Sequence, residues 1–491
     1  MKILFIYNGA ENLGIESISS VLKAAGHETA LLFDPAVFSG DQLINNKYLA
    51  NMLSFDKKIV DNAVAMNAQI IGFSCYTGNY QWCLEIARRI KKRCNATIVF
   101  GGVHITATGG EALAHPFVDY AIMGEGEYAM LNLVNRLASG ATDVSDIQNL
   151  CFRKDGRTQC NPPRPYIRDL DSLPLPDKRL FYDKVPMLSQ KYLVLTSQGC
   201  PFSCTYCSNN MYHQRYCNET NHVRRRSPKH VIQELVYAKK HYDVRTVTFG
   251  DDIFTASVPW LKAFIKLYKK KVKLPFHCNV HPLTISDEAI RLLKEGGCWM
   301  ITMGVQSGSE RLRKQIFHRA GSNERILESI EAIKRAGIKI SVDNIFGAPT
   351  ETEEDLKQGY DLYFKAKPDR ILTFWLTYYP GTKIIDYAMK DKLISINTKK
   401  RIDKGQYSGF AHGTGSVKNK KIAMYQKYQL LFQLRSLVQN DRAYIILSRI
   451  LVKMPLKGAL NYAIVLLNSI KNRDVNAFYL IKYALSKKRV P

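Results

Sequence analysis

Gly199-Cys200-Pro201-Phe202-Ser203-Cys204-Thr205-Tyr206-Cys207-Ser208-Asn209 places three thiols on one short loop. The loop follows Tyr192-Leu193-Val194-Leu195-Thr196, a run of β-strand character. A cubane [4Fe-4S] cluster has four irons, and full protein ligation takes four thiolates. Three cysteines spaced C-x3-C-x2-C therefore leave one iron open to a small molecule, which points to catalysis rather than electron storage. The competing uses of such thiols are a zinc knuckle or plain core packing. Zinc calls for a fourth ligand; no cysteine or histidine stands at finger spacing, and His213 and Cys217 are the nearest.

On either side of this loop the chain alternates strands and helices. Residues 1–135 predict strands at Ile3–Tyr7, Glu28–Phe33, Ile70–Tyr76, Thr97–Phe100 and Tyr120–Met123, with helices at Glu16–Ala25 and Tyr80–Cys94. That order is a Rossmann-like doubly wound sheet, whose ligands lie beyond the carboxyl ends of its strands. Residues 136–187 hold Asn161-Pro162-Pro163-Arg164-Pro165 and Leu173-Pro174-Leu175-Pro176, which break helices and central strands, and predict an extended connector. From 188 to 395 the strand, loop and helix pattern repeats about six times, with strands at Val247–Phe249, His277–Val280, Met300–Val305, Lys339–Phe346 and Ile371–Thr377 after the cysteine-loop strand. This is a partial (β/α)6 TIM-like barrel whose site belongs at the carboxyl mouth. Residues 396–491 predict basic helices, Ala423–Gln439 and Leu460–Leu485 among them.

The cysteine loop, with Tyr206 just before its last cysteine, resembles the radical S-adenosylmethionine (SAM) superfamily. The glycine pair Gly101-Gly102, with Ser74 ahead of it, Leu13-Gly14-Ile15 early and Gly124-Glu125-Gly126-Glu127 late, resembles the cobalamin-binding domain that precedes many of its barrels. The resemblance covers roughly residues 1–385 and implies a [4Fe-4S] cluster on Cys200, Cys204 and Cys207. It further implies SAM contacts at Tyr206, at Gly250, Asp251 and Asp252 after the second barrel strand, at Gln306 after the fourth, at Arg319, and at Asn344 and Gly347 around the fifth. Gln306 replaces a glutamate common in relatives, which keeps hydrogen bonding and removes the charge. Ser74, Gly101 and Gly102 are the implied cobalamin contacts. Asn8-Gly9-Ala10-Glu11-Asn12 stands where classical cobalamin proteins carry their axial histidine, so that loop supplies none. His104 is expected to be a polar loop residue, and His281, where relatives often carry arginine, a substrate-side group or a bystander.

The implied activity is cleavage of SAM to a 5′-deoxyadenosyl radical, used for cobalamin-dependent methylation of an unactivated carbon. Relatives with the same domain order also perform radical cyclisation, rearrangement or oxidation, and others modify transfer RNA. The implied partners are a low-potential flavodoxin- or ferredoxin-type electron donor and a small-molecule or lipid-like substrate.

Bulk composition bounds the rest. The net charge is +27, and residues 401–491 carry 17 Lys or Arg against three acids. Such a tail wants an anionic neighbour, a membrane surface met by amphipathic helices or nucleic acid, or is a solvated basic face. Nucleic acid would call for an appended β barrel or basic residues interleaved with exposed aromatics, and the tail reads as helical. Packing over the barrel mouth is the alternative for its apolar face. Eleven scattered cysteines and no secretory leader predict a reducing cytoplasm rather than a disulfide framework. No run reaches the roughly 18 apolar residues of a membrane span.

Overall fold

A computed structural model of the chain describes residues 1–35, 55–216, 222–406, 419–454 and 457–471. Cys217 and residues 472–485 of the predicted last helix lie outside these.

The first sheet has seven strands in the order β2-β1-β3-β4-β5-β6-β7. Strands β1 (Lys2–Asn8), β2 (Glu28–Asp34), β3 (Ile70–Ser74), β4 (Thr97–Gly101) and β5 (Tyr120–Ile122) run parallel. Both faces are covered, so these strands read as nearly continuous apolar runs. Leu4, Ile6, Ile71, Phe73, Ile98 and Phe100 are buried on one face, and Ile3, Phe5, Ile70, Val99 and Ile122 on the other. The strand order reverses between β1 and β3, and this switch point opens a crevice at their carboxyl ends.

The stretch read as a connector contributes two further strands, β6 (Leu150–Lys154) and β7 (Arg157–Cys160), which extend the sheet antiparallel. Cys151 and Cys160 face each other in that register and are disulfide-bonded. Among the described residues this is the one bond that departs from the expected reducing environment without disulfides.

The second sheet holds β8 (Lys191–Val194), β11 (Thr246–Phe249), β12 (Phe276–Val280), β13 (Cys298–Gln306), β14 (Lys339–Phe346) and β15 (Arg370–Trp375), all parallel, in the order β15-β14-β13-β12-β11-β8. A two-stranded ribbon, β9 (Ser197–Gln198) with β10 (Arg224–Arg225), flanks it. β8 and β15 do not pair, so the barrel is incomplete. The helices Pro228–His241, Val258–Lys271, Asp287–Gly296, Asn323–Arg335 and Glu353–Ala366 each start at a Ser or Thr whose side chain accepts a first-turn N–H. Each such cap contributes about 1 kcal/mol and sets where a strand-end loop stops.

The basic helix Asn419–Leu437 packs on the outer flank of the last two strands and reaches the loop after β14, where Lys421 Nζ donates to the Glu351 carbonyl at 3.2 Å. Its Tyr425 and Phe432 meet Trp375 and Phe346, and Gln429 and Gln433 donate to Thr373 Oγ1 at 3.1 and 2.8 Å. Among the described residues no helix is long and apolar enough to cross a membrane.

One buried cation joins the two sheets. Lys178 Nζ donates to Glu11 Oε1 and to the Leu193 carbonyl, each at 2.7 Å, and lies 2.8 Å from Glu16 Oε2. Glu11 belongs to the loop after β1, Glu16 to the Leu13–Ala24 helix and Leu193 to β8. Burial pushes the Glu16 carboxyl well above the usual range, and the Lys178 ammonium opposes that shift. Breaking a buried pair strands the remaining charge and costs about 3–5 kcal/mol. Lys178→Met is therefore expected to lower stability by that order, read as a fall in the denaturation midpoint.

Candidate active site

The cysteine loop is shaped by contacts from distant parts of the chain. At its start, the Asp251 carboxylate accepts from Thr196 N at 3.1 Å, from Thr196 Oγ1 at 2.7 Å and from Ser197 Oγ. Gly199 has φ 85°, and a Cβ there would come 1.9 Å from the His222 carbonyl oxygen, so only glycine turns the chain into the loop. Thr205 locks the middle: its N–H donates to the Phe317 carbonyl at 3.1 Å, its hydroxyl to the Ile316 carbonyl at 2.6 Å, and its own carbonyl accepts from Ile384 N at 2.9 Å. Asn210 holds the Ser203 carbonyl and His213 the Cys200 carbonyl.

The thiols match a cluster in chemistry. All three are free, Cys204 is buried and the others half-buried. Arg319 Nη1 and Asn209 Nδ2 each direct an N–H at a sulfur, of Cys204 and Cys207 respectively, at 3.7 Å. Donors aimed at sulfur suit thiolates. Burial pushes the Cys200 thiol up to about 12 and raises Cys207, so their thiolate forms depend on adjoining cations such as iron. Among the described residues no three Cys, His, Asp or Glu side chains converge on a single ion position. A tetrahedral zinc site requires that convergence, whereas a cubane distributes its thiolates over separate irons.

Strand alternation decides which barrel residues face the lumen. Thr248, Asn279, Gly304, Gln306, Ser341 and Asp343 share the lumen side, while Val247, Val280, Val305, Val342 and Phe346 are buried outward. Thr248 Oγ1, His281 Nε2, Gln306 Oε1, Ser341 Oγ and Asp343 Oδ1 are buried without a hydrogen-bond partner among the described residues. Such atoms require an occupant with polar groups, and SAM brings an ammonium, a carboxylate, ribose hydroxyls and a purine. Gln306 holds φ 71°, rare for a residue with a Cβ, where β13 ends. Arg319 is buried between the Gly304 carbonyl, to which Nη2 donates, and Cys204. Burial pushes the Asp343 carboxyl up to about 6, with Arg370 and Arg319 opposing.

Several expected contacts are committed elsewhere. The Asp251 side chain clamps Thr196 and Ser197, and its carbonyl accepts from Asn279. Asn344 faces the helix layer, where Tyr363 OH donates to it at 2.9 Å. Asp343, one residue earlier, is the lumen-facing acid, and the polar Ser341 and Asp343 at alternate positions were the signal for it. Gly250 and Gly347 remain at the mouth; Gly347 N donates to the buried Glu351 at 2.7 Å. Asp252 is exposed beside Asn209, which donates to it at 3.1 Å. Tyr206 packs edge-on to Phe317. His281 is 1% exposed and stacks on Phe202 of the cysteine loop. Its Nδ1 accepts from Leu283 N, which leaves the hydrogen on Nε2, and burial lowers its pKa to about 3.

Above the loop lies a cavity of about 400 Å³ at the carboxyl ends of β1, β3 and β4. Ser74, Gly101 and Gly102 line it, and Asn12 Nδ2 donates to Ser74 Oγ at 3.2 Å. Gly102 has φ 96° and lies so close to Cys75 that a Cβ would sit 2.7 Å from that carbonyl oxygen. A Cβ on Gly101 would meet only the Ile122 carbonyl, at 3.7 Å, and otherwise open space. The glycine-lined wall thus accepts a wide flat ligand such as a corrin. Gln198 and Tyr212, which bracket the cysteine loop in sequence, line the same cavity. His104 does not line it: it is buried against Tyr80 with Nδ1 near Thr77 Oγ1, a core residue rather than the loop residue expected.

The family model for the radical SAM superfamily matches residues 194–363, and that for the B12 binding domain matches residues 6–134. The chain is a cobalamin-binding radical SAM enzyme. Its cofactors are a [4Fe-4S] cluster, SAM and cobalamin. An uncharacterized methyltransferase of Pyrococcus horikoshii is 26% identical over 71% of this chain and 78% of its own length. The anaerobic magnesium-protoporphyrin IX monomethyl ester cyclase of Rubrivivax gelatinosus is 25% identical over 77% of this chain and 68% of its own. Among solved structures, the cobalamin-dependent SAM radical enzyme OxsB with aqua-cobalamin and SAM superposes with TM-score 0.68 at 14% identity, covering 100% of this chain and 81% of OxsB. The radical SAM methyltransferase TsrM of Kitasatospora setae, with cobalamin and a [4Fe-4S] cluster, gives 0.63 at 16% identity over 79% and 78%.

Cys204→Ala is expected to abolish cluster uptake, read as loss of iron and of cluster absorption after anaerobic reconstitution. Gly101→Leu should leave the fold intact and weaken corrinoid binding by about tenfold or more, because methylenes forced into an occupied cavity cost about 1–3 kcal/mol. Titration of the corrin absorption bands measures it.

Proposed function

We propose that this radical SAM enzyme methylates an unactivated carbon of a small-molecule or lipid-like substrate, with cobalamin as the methyl carrier. The observation that carries this is the shared wall: Gln198 and Tyr212, either side of the cysteine loop, also line the glycine-walled cavity of the first sheet. When bound, the cluster and SAM supply a radical that attacks a strong C–H bond and cobalamin supplies the methyl group. The chain's own part is orientation and exclusion of water. We assign Cys200, Cys204 and Cys207 to the cluster, Arg319 to the cluster sulfurs and the SAM carboxylate, and Gln306, His281 and Asp343 to the polar groups of SAM or substrate. Ser74, Gly101 and Gly102 hold the corrin. Gly250, Gly347 and Tyr206 shape the mouth around SAM, with Asp252 at its rim.

We further propose a low-potential flavodoxin- or ferredoxin-type donor, and a cytoplasmic location with peripheral attachment to the inner face of a membrane. A second reading, radical ring closure without methyl transfer, draws support from the likeness to the cyclase. Anaerobic reconstitution separates the two. Methyl transfer predicts corrin bands together with cluster absorption, and label passing from the SAM methyl group to product. Cluster absorption and 5′-deoxyadenosine formation with no SAM methyl label in the product would favour ring closure, and no cluster at all would overturn both.

A further inference from the structure

The helix Asp441–Leu451 and the helix Lys457–Lys471 flank Asn419–Leu437 and turn their inward faces to a small core of Leu430, Leu434, Tyr444 and Ile464. Their outward faces are also apolar. Ile446 and Ile450 are 59% and 56% exposed, and Leu466, Leu467 and Ile470 lie between 48% and 60%. Spacings of three and four residues put each set on one side of its helix. A buried inner face needs no such outer partner, since the outer face of a packed helix is ordinarily polar.

Charge on the same face narrows what covers it. Arg442, Arg449 and Lys453 are exposed and, at spacings of seven and four, form a row directly beside Ile446 and Ile450. From residue 441 to 471 the one acid is Asp441, and it is engaged by Arg435 at 2.6 Å and Lys367 at 2.9 Å. A second copy of this chain meeting the same face would oppose cation to cation across the twofold axis. Nucleic acid stacks on aromatic rings, whereas the exposed residues here are aliphatic. Aliphatic side chains beside a cationic row, with no free carboxylate, match the acyl boundary and headgroups of an anionic bilayer.

We propose that the outward faces of these two helices dock the enzyme on an anionic lipid surface, with Ile446, Ile450, Leu466, Leu467 and Ile470 entering the headgroup region and Arg442, Arg449 and Lys453 pairing with lipid phosphates. This deepens the peripheral location proposed above by naming the surface that makes it, and it rests on no cofactor. The docking helices pack beside β15, the open edge of the barrel, through the Asn419–Leu437 helix.

The test is flotation of the full-length, anaerobically reconstituted protein with phosphatidylcholine vesicles, with and without phosphatidylglycerol. The protein should float only with the anionic vesicles and be released by salt. Ile446→Asp with Ile450→Asp should abolish flotation, and Arg442→Gln, Arg449→Gln and Lys453→Gln together should weaken it by roughly 100-fold. Val236→Asp, at an exposed apolar residue on another helix, should change nothing. Iron content and 5′-deoxyadenosine formation should stay normal in all variants, which separates this proposal from the catalytic one. Three results would overturn it: no flotation with anionic vesicles, flotation indifferent to the helix substitutions, or a concentration-dependent dimer that the aspartate pair dissolves.

Discussion

The catalytic arrangement depends on holding the carboxyl edges of two separate sheets face to face, and the buried Lys178 ammonium is the contact that does so most directly. It touches the loop after β1, the first helix and β8 at once. Two carboxylates share one ammonium, and burial raises the Glu16 carboxyl against the pull of that ammonium. Arg224, ion-paired with Glu125 and donating to the Ile167 carbonyl, adds a second tie near the cavity. Together they keep the glycine wall of the first sheet over the cysteine loop of the second.

Around the loop itself, order comes from groups that are not ligands. Thr205 is bound through its N–H, hydroxyl and carbonyl, and Asp251 receives three donors. With the backbone pinned at these points, the cysteine side chains need little reorganisation to take iron. The lumen shows the opposite condition. Its unpartnered atoms on β11, β13 and β14 and on His281 are costly in an empty protein, at about 1–3 kcal/mol for each unsatisfied group. Binding of a polar cofactor recovers that cost.

Much of this was legible in the sequence because its signals are local. The cysteine spacing, the glycine pair and the strand and helix alternation are carried by short runs, and both sheets appear where they were expected. Side-chain direction is less local. Asp251 and Asn344 sit in segments that do reach the mouth, yet Asp251 turns to Thr196, and the strand phase turns Asn344 outward and Asp343 inward. His104 was expected in a loop, but the first turn of its helix packs it against Tyr80. The Cys151–Cys160 bond needed the β6–β7 register, which proline-rich flanks disguised as a connector. Arg319 was named through the resemblance, but its contact with Cys204, 115 residues away, was visible in no local run.

That long reach has a consequence for how the protein is made. Asp251 and Ile316 shape the loop from 55 and 111 residues downstream, so a growing chain displays three bare thiols well before anything can cage them. The contacts that pin the loop can close only once synthesis has passed the fourth strand of the barrel.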